Sequence, residues 1–151
     1  MKSAQQNIPI NILLADDDKE DRFFFNRALK ELTIRTQLAI VVDGEKLMAY
    51  LSENSHRLPD ILFLDLNMPR KNGSECLEEI KGNPKLQRIP VIIYSTSLQD
   101  EVADVLYQTG AHYYLKKCNL DELSKFIQRA INLLAENQNQ PSRDNFIINL
   151  K

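Results

Sequence analysis

Five short apolar runs recur along this chain of 151 residues, each followed by a stretch with helical spacing. The runs are Ile10 to Ala15, Leu38 to Val42, Ile61 to Leu64, Val91 to Tyr94 and Tyr113 to Leu115. Most are continuous rather than alternating, as expected of strands covered on both faces. Five helical stripes separate or follow them: Phe24, Phe25, Ala28, Leu29 and Leu32; Leu47, Met48 and Leu51; Cys76, Leu77 and Ile80; Val102, Val105, Leu106 and Thr109; and Leu123, Phe126, Ile127, Ala130, Ile131 and Leu134. Gly82 with Pro84 ends the third helix, Gly110 ends the fourth, and Asn119 with Glu122 forms a capping pair opening the fifth. Strand and helix alternating five times with short connections specify an α/β fold, a parallel sheet with helices on both faces.

Composition narrows the function classes. Lys and Arg number 19 against 21 Asp and Glu, a net charge of −2, which argues against a nucleic-acid binder. No apolar run approaches a membrane span, and Met1 to Asn7 is polar, so neither a membrane nor a secreted protein is expected. Two cysteines without metal or disulfide spacing suit a reducing, cytoplasmic setting.

In an open parallel sheet the residues just past the strand C-termini gather along one edge, where ligands bind at the switch in strand order. Here those residues are Asp16, Asp17 and Asp18 after strand one; Asp65, Asn67, Pro69 and Gly73 after strand three; Ser95 and Thr96 after strand four; and Lys116 and Lys117 after strand five. Each alone has an ordinary explanation, and Asp18 in particular stands where it would cap the first helix. Together, clustered carboxylates need a cation. Oxygen-only ligands favour Mg²⁺ over zinc. A metal-held carboxylate facing a hydroxyl and an ammonium is the equipment of phosphoryl transfer.

These residues resemble the receiver domain of two-component response regulators. The resemblance rests on the acids of ILLADDD, the segment LDLNMPRKNG, the hydroxyl of VIIYSTS and the lysine of GAHYYLKK, in matching order and spacing over roughly residues 8 to 136. DLNMPRKNG and VIIYSTS are most similar to stand-alone receivers that partner bacterial phytochromes and hybrid histidine kinases. The resemblance implies a flavodoxin-like, doubly wound five-stranded sheet of order 2-1-3-4-5 with five helices. It implies an N-terminal extension (1–7), a receiver domain (8–136) and a C-terminal tail (137–151).

It further implies that Asp65 accepts a phosphoryl group from a histidine kinase or phosphotransfer protein. Asp17 would bind Mg²⁺ directly, Asp16 directly or through water, Asp65 as a third carboxylate, and Asn67 through its backbone carbonyl. Lys117 and Ser95 would contact the phosphoryl oxygens, and Tyr114 would move inward as Ser95 is drawn to the phosphate. The output would be an altered surface around helix four, strand five and helix five, read by a protein target or a second copy, with no nucleic acid, membrane or separate substrate involved. The family usually has proline after the lysine; Cys118 stands there, so a trans peptide is expected.

Other classes fit less well. An aspartyl phosphatase would place a second acid where Asn67 stands and needs a cap that this length does not supply. A flavin-mononucleotide binder needs a phosphate loop after strand one, and ADDDKED would repel a phosphate. A degenerate receiver that binds partners without phosphorylation has only the missing proline in its favour. Cys76 is expected in the core, with Cys118 nearer the site and more exposed. His56 and His112 are expected at the surface. Phe23 to Phe25 are mostly core for the first helix, with one ring facing outward; the resemblance implies kinase contact on that helix, where an exposed Phe23 could serve. The tail reads as a linker, NQNQPSRD, followed by the apolar NFIINLK, which is either a frayed end or a strand or hook packing on this domain or a second copy.

Overall fold

The computed structural model describes residues 8–96 and 99–150, so the expected 1–7 extension and Ser97 lie outside the described residues. Its strands are β1 (Ile10–Ala15), β2 (Thr36–Val41), β3 (Ile61–Leu64), β4 (Val91–Ser95) and β5 (Tyr113–Lys116). Its helices are α1 (Lys19–Lys30), α2 (Gly44–Glu53), α3 (Gly73–Lys81), α4 (Asp100–Thr109) and α5 (Leu120–Glu136). All strand pairs are parallel in the order β2-β1-β3-β4-β5. The expected doubly wound sheet with five helices is therefore the observed one. β2 starts two residues before the apolar run, because Thr36 and Gln37 pair with Ile10 and Asn11 at the sheet edge.

The sheet divides the core in two. Strand alternation sends Leu13, Ala15, Leu62, Leu64, Val91 and Ile93 to one face, where α2, α3 and α4 supply Leu47, Leu77 and Leu106. Ile12, Leu14, Ile61, Phe63, Ile92 and Tyr94 face α1 and α5. There Phe25 packs edge-on against Phe63 and Tyr94, with ring centroids 4.9 and 5.7 Å away. Both faces of the central strands are dry, which is why their sequences do not alternate in polarity.

Two expectations need correction. On α4 the buried residues are Ala103 and Leu106, whereas Val102 and Val105 are exposed, Val105 at 60%. Residues 102, 105 and 109 share a helical spacing with Leu106, but the helix is rotated so that the small Ala103 meets the sheet. His112 is buried rather than at the surface, because it immediately precedes β5 and its Nε2 lies 3.0 Å from the Gln138 carbonyl beyond α5. Burial and the nearby Lys81 charge lower its pKa. His56 is exposed, as expected.

The tail returns to its own domain. After a 3₁₀ turn at Arg143–Asn145, the Tyr114 N–H donates to the Phe146 carbonyl and the Ile148 N–H to the Tyr114 carbonyl, both 2.9 Å. This isolated parallel bridge covers part of the outer edge of β5. Phe146 is fully buried on the α4 side, 5.5 Å from the Tyr107 ring, and Ile148 is buried on the α5 side. Arg143 adds a 2.8 Å ion pair with Asp104 of α4.

Candidate functional site

The strand C-termini form one edge, and the backbone sets their spacing. The Asp16 N–H donates to the Val41 carbonyl and the Asp65 N–H to the Ala15 carbonyl, so both acids leave adjoining parallel strands at the same level. Asp16 and Asp65 are buried while Asp17 is exposed. One carboxylate oxygen from each of the three lies within 4.8 Å of the others. Asp18 does not join them. It caps α1, accepting from the Asp21 N–H at 2.9 Å, which holds its carboxyl below the usual range.

One glycine and a cap shape the opposite wall. A Cβ on Gly73 would sit 2.3 Å from the Asp65 carbonyl oxygen, so only glycine lets the start of α3 approach the end of β3 this closely. Asn72 caps that helix in a full capping box with Glu75, a signal already present in NGSE. At the far edge of the sheet, against Lys81, Gly110 ends α4 at φ 123°, in backbone space that disfavours a side chain. A cleft of about 590 Å³ opens beside the acids, lined by Leu66, Asn67, Asn72, Ser95, Gln99 and Val102 among others.

Lys117 closes the site from β5. Its Nζ lies 2.8 Å from Asp21 Oδ2, 3.0 Å from Asp16 Oδ2 and 3.5 Å from Asp65 Oδ2, and 5.3 Å from the centroid of the Tyr94 ring. Burial pulls its pKa down, but Asp21, Asp16 and Asp65 outweigh burial and hold it above the ordinary lysine value. Among the described residues no peptide bond is cis, so Lys117 reaches the acids from a trans peptide before Cys118. The Lys117 N–H donates to the Ser95 carbonyl at 2.8 Å, anchoring the loop.

Desolvation dominates the acids. It lifts Asp16 to about 6 against the Asp18 N–H and the Lys117 charge, and raises Asp65 in the same direction. Asp16 Oδ2 is buried without a hydrogen-bond partner: the ammonium at 3.0 Å supplies charge but not alignment. Such an atom, beside two further carboxylates and no nitrogen or sulfur donor, fits a hard divalent cation. Asp16, Asp17 and Asp65 could hold it, and the Asn67 carbonyl lies on the same loop. The Asn67 N–H meanwhile donates to Asp65 Oδ1 at 3.3 Å.

Ser95 is buried at the end of β4, and the Tyr114 hydroxyl donates to its carbonyl at 3.1 Å. Tyr114 is thus already inward, at 3% exposure, the position expected of it after a shift. Cys76 is buried with its Sγ directed at the Gly44 carbonyl and its pKa pushed up to about 11 by desolvation. Cys118 is half-buried and also raised by desolvation, so neither thiol is activated. The residue sequence reasoning missed is Asp21. It stands three positions past the Asp18 cap, where acids ordinarily complement the helix dipole, and that ordinary reading concealed its contact with Lys117.

An acidic triad at the switch point of a five-stranded doubly wound sheet, with a lysine and a serine across from it, defines a receiver. The family model for the response regulator receiver domain matches residues 12–128, and the chain belongs to that family. Response regulator Rcp1 of Synechocystis sp. (strain ATCC 27184 / PCC 6803 / Kazusa) is 42% identical over 132 residues, covering 83% of this chain and 89% of that protein. The crystal structure of its Mn²⁺-bound form superposes with a TM-score of 0.75 at 37% identity, covering 89% of this chain and 100% of that one. The phosphorylated cyanobacterial phytochrome response regulator RcpA gives 0.74 at 34% identity, covering 86% and 96%. The chain is therefore similar to phytochrome response regulators in sequence and fold. Among the described residues no helix is long and apolar enough to cross a membrane.

Proposed function

We propose that this receiver takes a phosphoryl group onto an Asp65 carboxylate oxygen from the phosphohistidine of a kinase or phosphotransfer protein, in the cytoplasm and with Mg²⁺. The observation that carries this reading is the buried Asp65 carboxylate at the end of β3, with Asp16 and Asp17 oxygens within 4.8 Å and the Lys117 ammonium at 3.5 Å. The similarity to a protein solved in an Mn²⁺-bound form and to one solved phosphorylated supports it.

The Asp65 carboxylate attacks phosphorus while the P–N bond to the donor ring breaks; that ring, protonated on its other nitrogen, takes the bonding pair and leaves as neutral histidine, with an acyl phosphate on Asp65. Bound among Asp16, Asp17, Asp65 and the Asn67 carbonyl, Mg²⁺ would supply charge neutralisation for the phosphoryl oxygens. Lys117 reaches the same oxygens from the other side. Its charge is retained because three carboxylates surround it. Ser95 is placed to donate its hydroxyl from the end of β4, and any shift of that strand end pulls on Tyr114 through the 3.1 Å bond to the Ser95 carbonyl. The altered surface is α4–β5–α5, and it signals by contact with a downstream protein or a second copy rather than by turning over a separate substrate. Phe23, 57% exposed on α1, is a candidate anchor for the kinase.

The test is intact mass after incubation with Mg²⁺ and phosphoramidate, beside Asp65→Asn. Gain of one phosphoryl group by the parent chain alone is expected. No gain, with no beryllofluoride binding either, would make this a receiver that binds partners without phosphorylation.

A further inference from the structure

Lys117 is not paired chiefly with the acceptor. Its shortest contact is the 2.8 Å hydrogen bond to Asp21 Oδ2, whereas Asp65 lies at 3.5 Å, outside hydrogen-bond range for an ammonium. Asp21 is not one of the three acids whose oxygens converge as a metal site. It belongs to the first turn of α1, which the Asp18 cap fixes to the loop carrying those acids. The Lys117 side chain is 10% exposed and that of Asp21 29%, so solvent screens the pair poorly. Cys118, in place of a ring that would fix the backbone after Lys117, leaves side-chain contacts to hold the ammonium.

Resting on the acceptor-site reading above, we propose that Asp21 is a positioning residue for Lys117, giving its ammonium a hydrogen-bonded partner outside the Asp16–Asp17–Asp65 triad at whose edge it stands. The physical need is a conflict between two cations. A divalent ion entering the triad repels an ammonium 3.0 Å from Asp16, and the displaced lysine must stay close enough to reach a phosphoryl group later. A carboxylate just outside the triad satisfies both demands. Without it Asp16 and Asp65 are, among the described residues, the only carboxylates left to Lys117, and its ammonium competes with the metal for them more strongly.

Two measurements on the full chain test this. The first follows the Lys117 ¹³Cε resonance in metal-free protein labelled at lysine ¹³Cε, assigned by its loss in Lys117→Met. Asp21→Asn is expected to shift it, and an unmoved resonance would overturn the tether. The second is calorimetric Mg²⁺ affinity in a double-mutant cycle of Asp21→Asn and Lys117→Met. Asp21→Asn is expected to weaken Mg²⁺ binding roughly three- to tenfold when Lys117 is present and to have little effect in Lys117→Met. Equal losses in both backgrounds would mean that Asp21 acts only as one more negative charge, and the proposal would fail. If the parent chain binds no Mg²⁺ at all, the acceptor-site reading fails, and the resonance still decides whether Asp21 holds Lys117.

Discussion

Asp16→Asn should stabilise the metal-free protein at neutral pH, although it removes one partner of Lys117. Asp16 is fully buried, and desolvation lifts its pKa from 3.8 to about 6. The folded protein thus holds this proton more tightly than the unfolded chain. The resulting stabilisation is complete below pH 3.8 and is lost as pH rises through about 6. Above that, the ionised carboxylate works against folding. Roughly two units at about 1.4 kcal/mol each bound the effect at about 3 kcal/mol. The asparagine Oδ1 can still accept from the Asp18 N–H, now 2.9 Å from Asp16 Oδ1, while the charge goes. A gain of about 1–3 kcal/mol corresponds to roughly 3–10 °C in Tm for a domain of this size. Circular-dichroism melts in EDTA at about pH 7.5 and about pH 5 decide it. The gain should be full at the higher pH and about half as large at the lower, where the folded parent is protonated but its unfolded chain is already ionised. A lower Tm for the variant at pH 7.5, or an equal gain at both, would refute desolvation as the dominant influence on this acid.

Three further perturbations probe other parts of the structure. Phe146→Ala should cost about 3 kcal/mol in urea unfolding, because it empties a fully buried site in the α4-side core; a cost under about 1 kcal/mol would mean the tail is not packed there. Gly73→Ala should lower both Tm and the yield of phosphorylated protein, since its Cβ would meet the Asp65 carbonyl at 2.3 Å and push α3 from the acceptor. An unchanged phosphorylation yield would contradict it. Iodoacetamide at neutral pH should modify Cys76 only after denaturation and Cys118 slowly, as read by peptide mass; rapid native labelling of Cys76 would contradict its burial.

The sheet and the acidic edge were legible because both are written in local pattern. Ile12 to Ala15 and Ile61 to Leu64 are apolar on both faces, and in a parallel sheet this places Asp16 and Asp65 at one level. α5 was legible for a similar reason: Leu123, Ile127, Ala130, Ile131 and Leu134 all prove buried. α4 was not, because Val102, Val105 and Leu106 describe a stripe as good as that of Ala103 and Leu106, and tertiary fit chose the one with the smaller side chain. His112 was misread because its cover comes from Gln138, 26 residues away, which local sequence does not reveal. The tail's packing on its own domain rests on equally distant partners, Tyr107 and Tyr114.

The run DDDKED shows where such reading stops. Its acids have four different fates within six residues: Asp16 buried with an orphaned oxygen, Asp17 exposed beside it, Asp18 bonded to a helix N–H, and Asp21 bonded to a lysine 96 residues away. Glu20, with no role at the site, points to solvent. Spacing accounts for the cap, because Asp18 followed by a helix predicts a bond to the third residue's N–H. It also accounts for the pairing of Asp16 with Asp65, through strand ends. It does not account for Asp21, whose partner is set by where β5 delivers Lys117. The cap and the tether are nevertheless one construction. By fixing the first turn, Asp18 decides that Asp21 faces the edge of the sheet, and the Arg22 guanidinium, donating to the Asp16 carbonyl at 3.1 Å, ties that turn back to the strand end. A substitution that loosens the cap should therefore be felt at Lys117 before it is felt in the core.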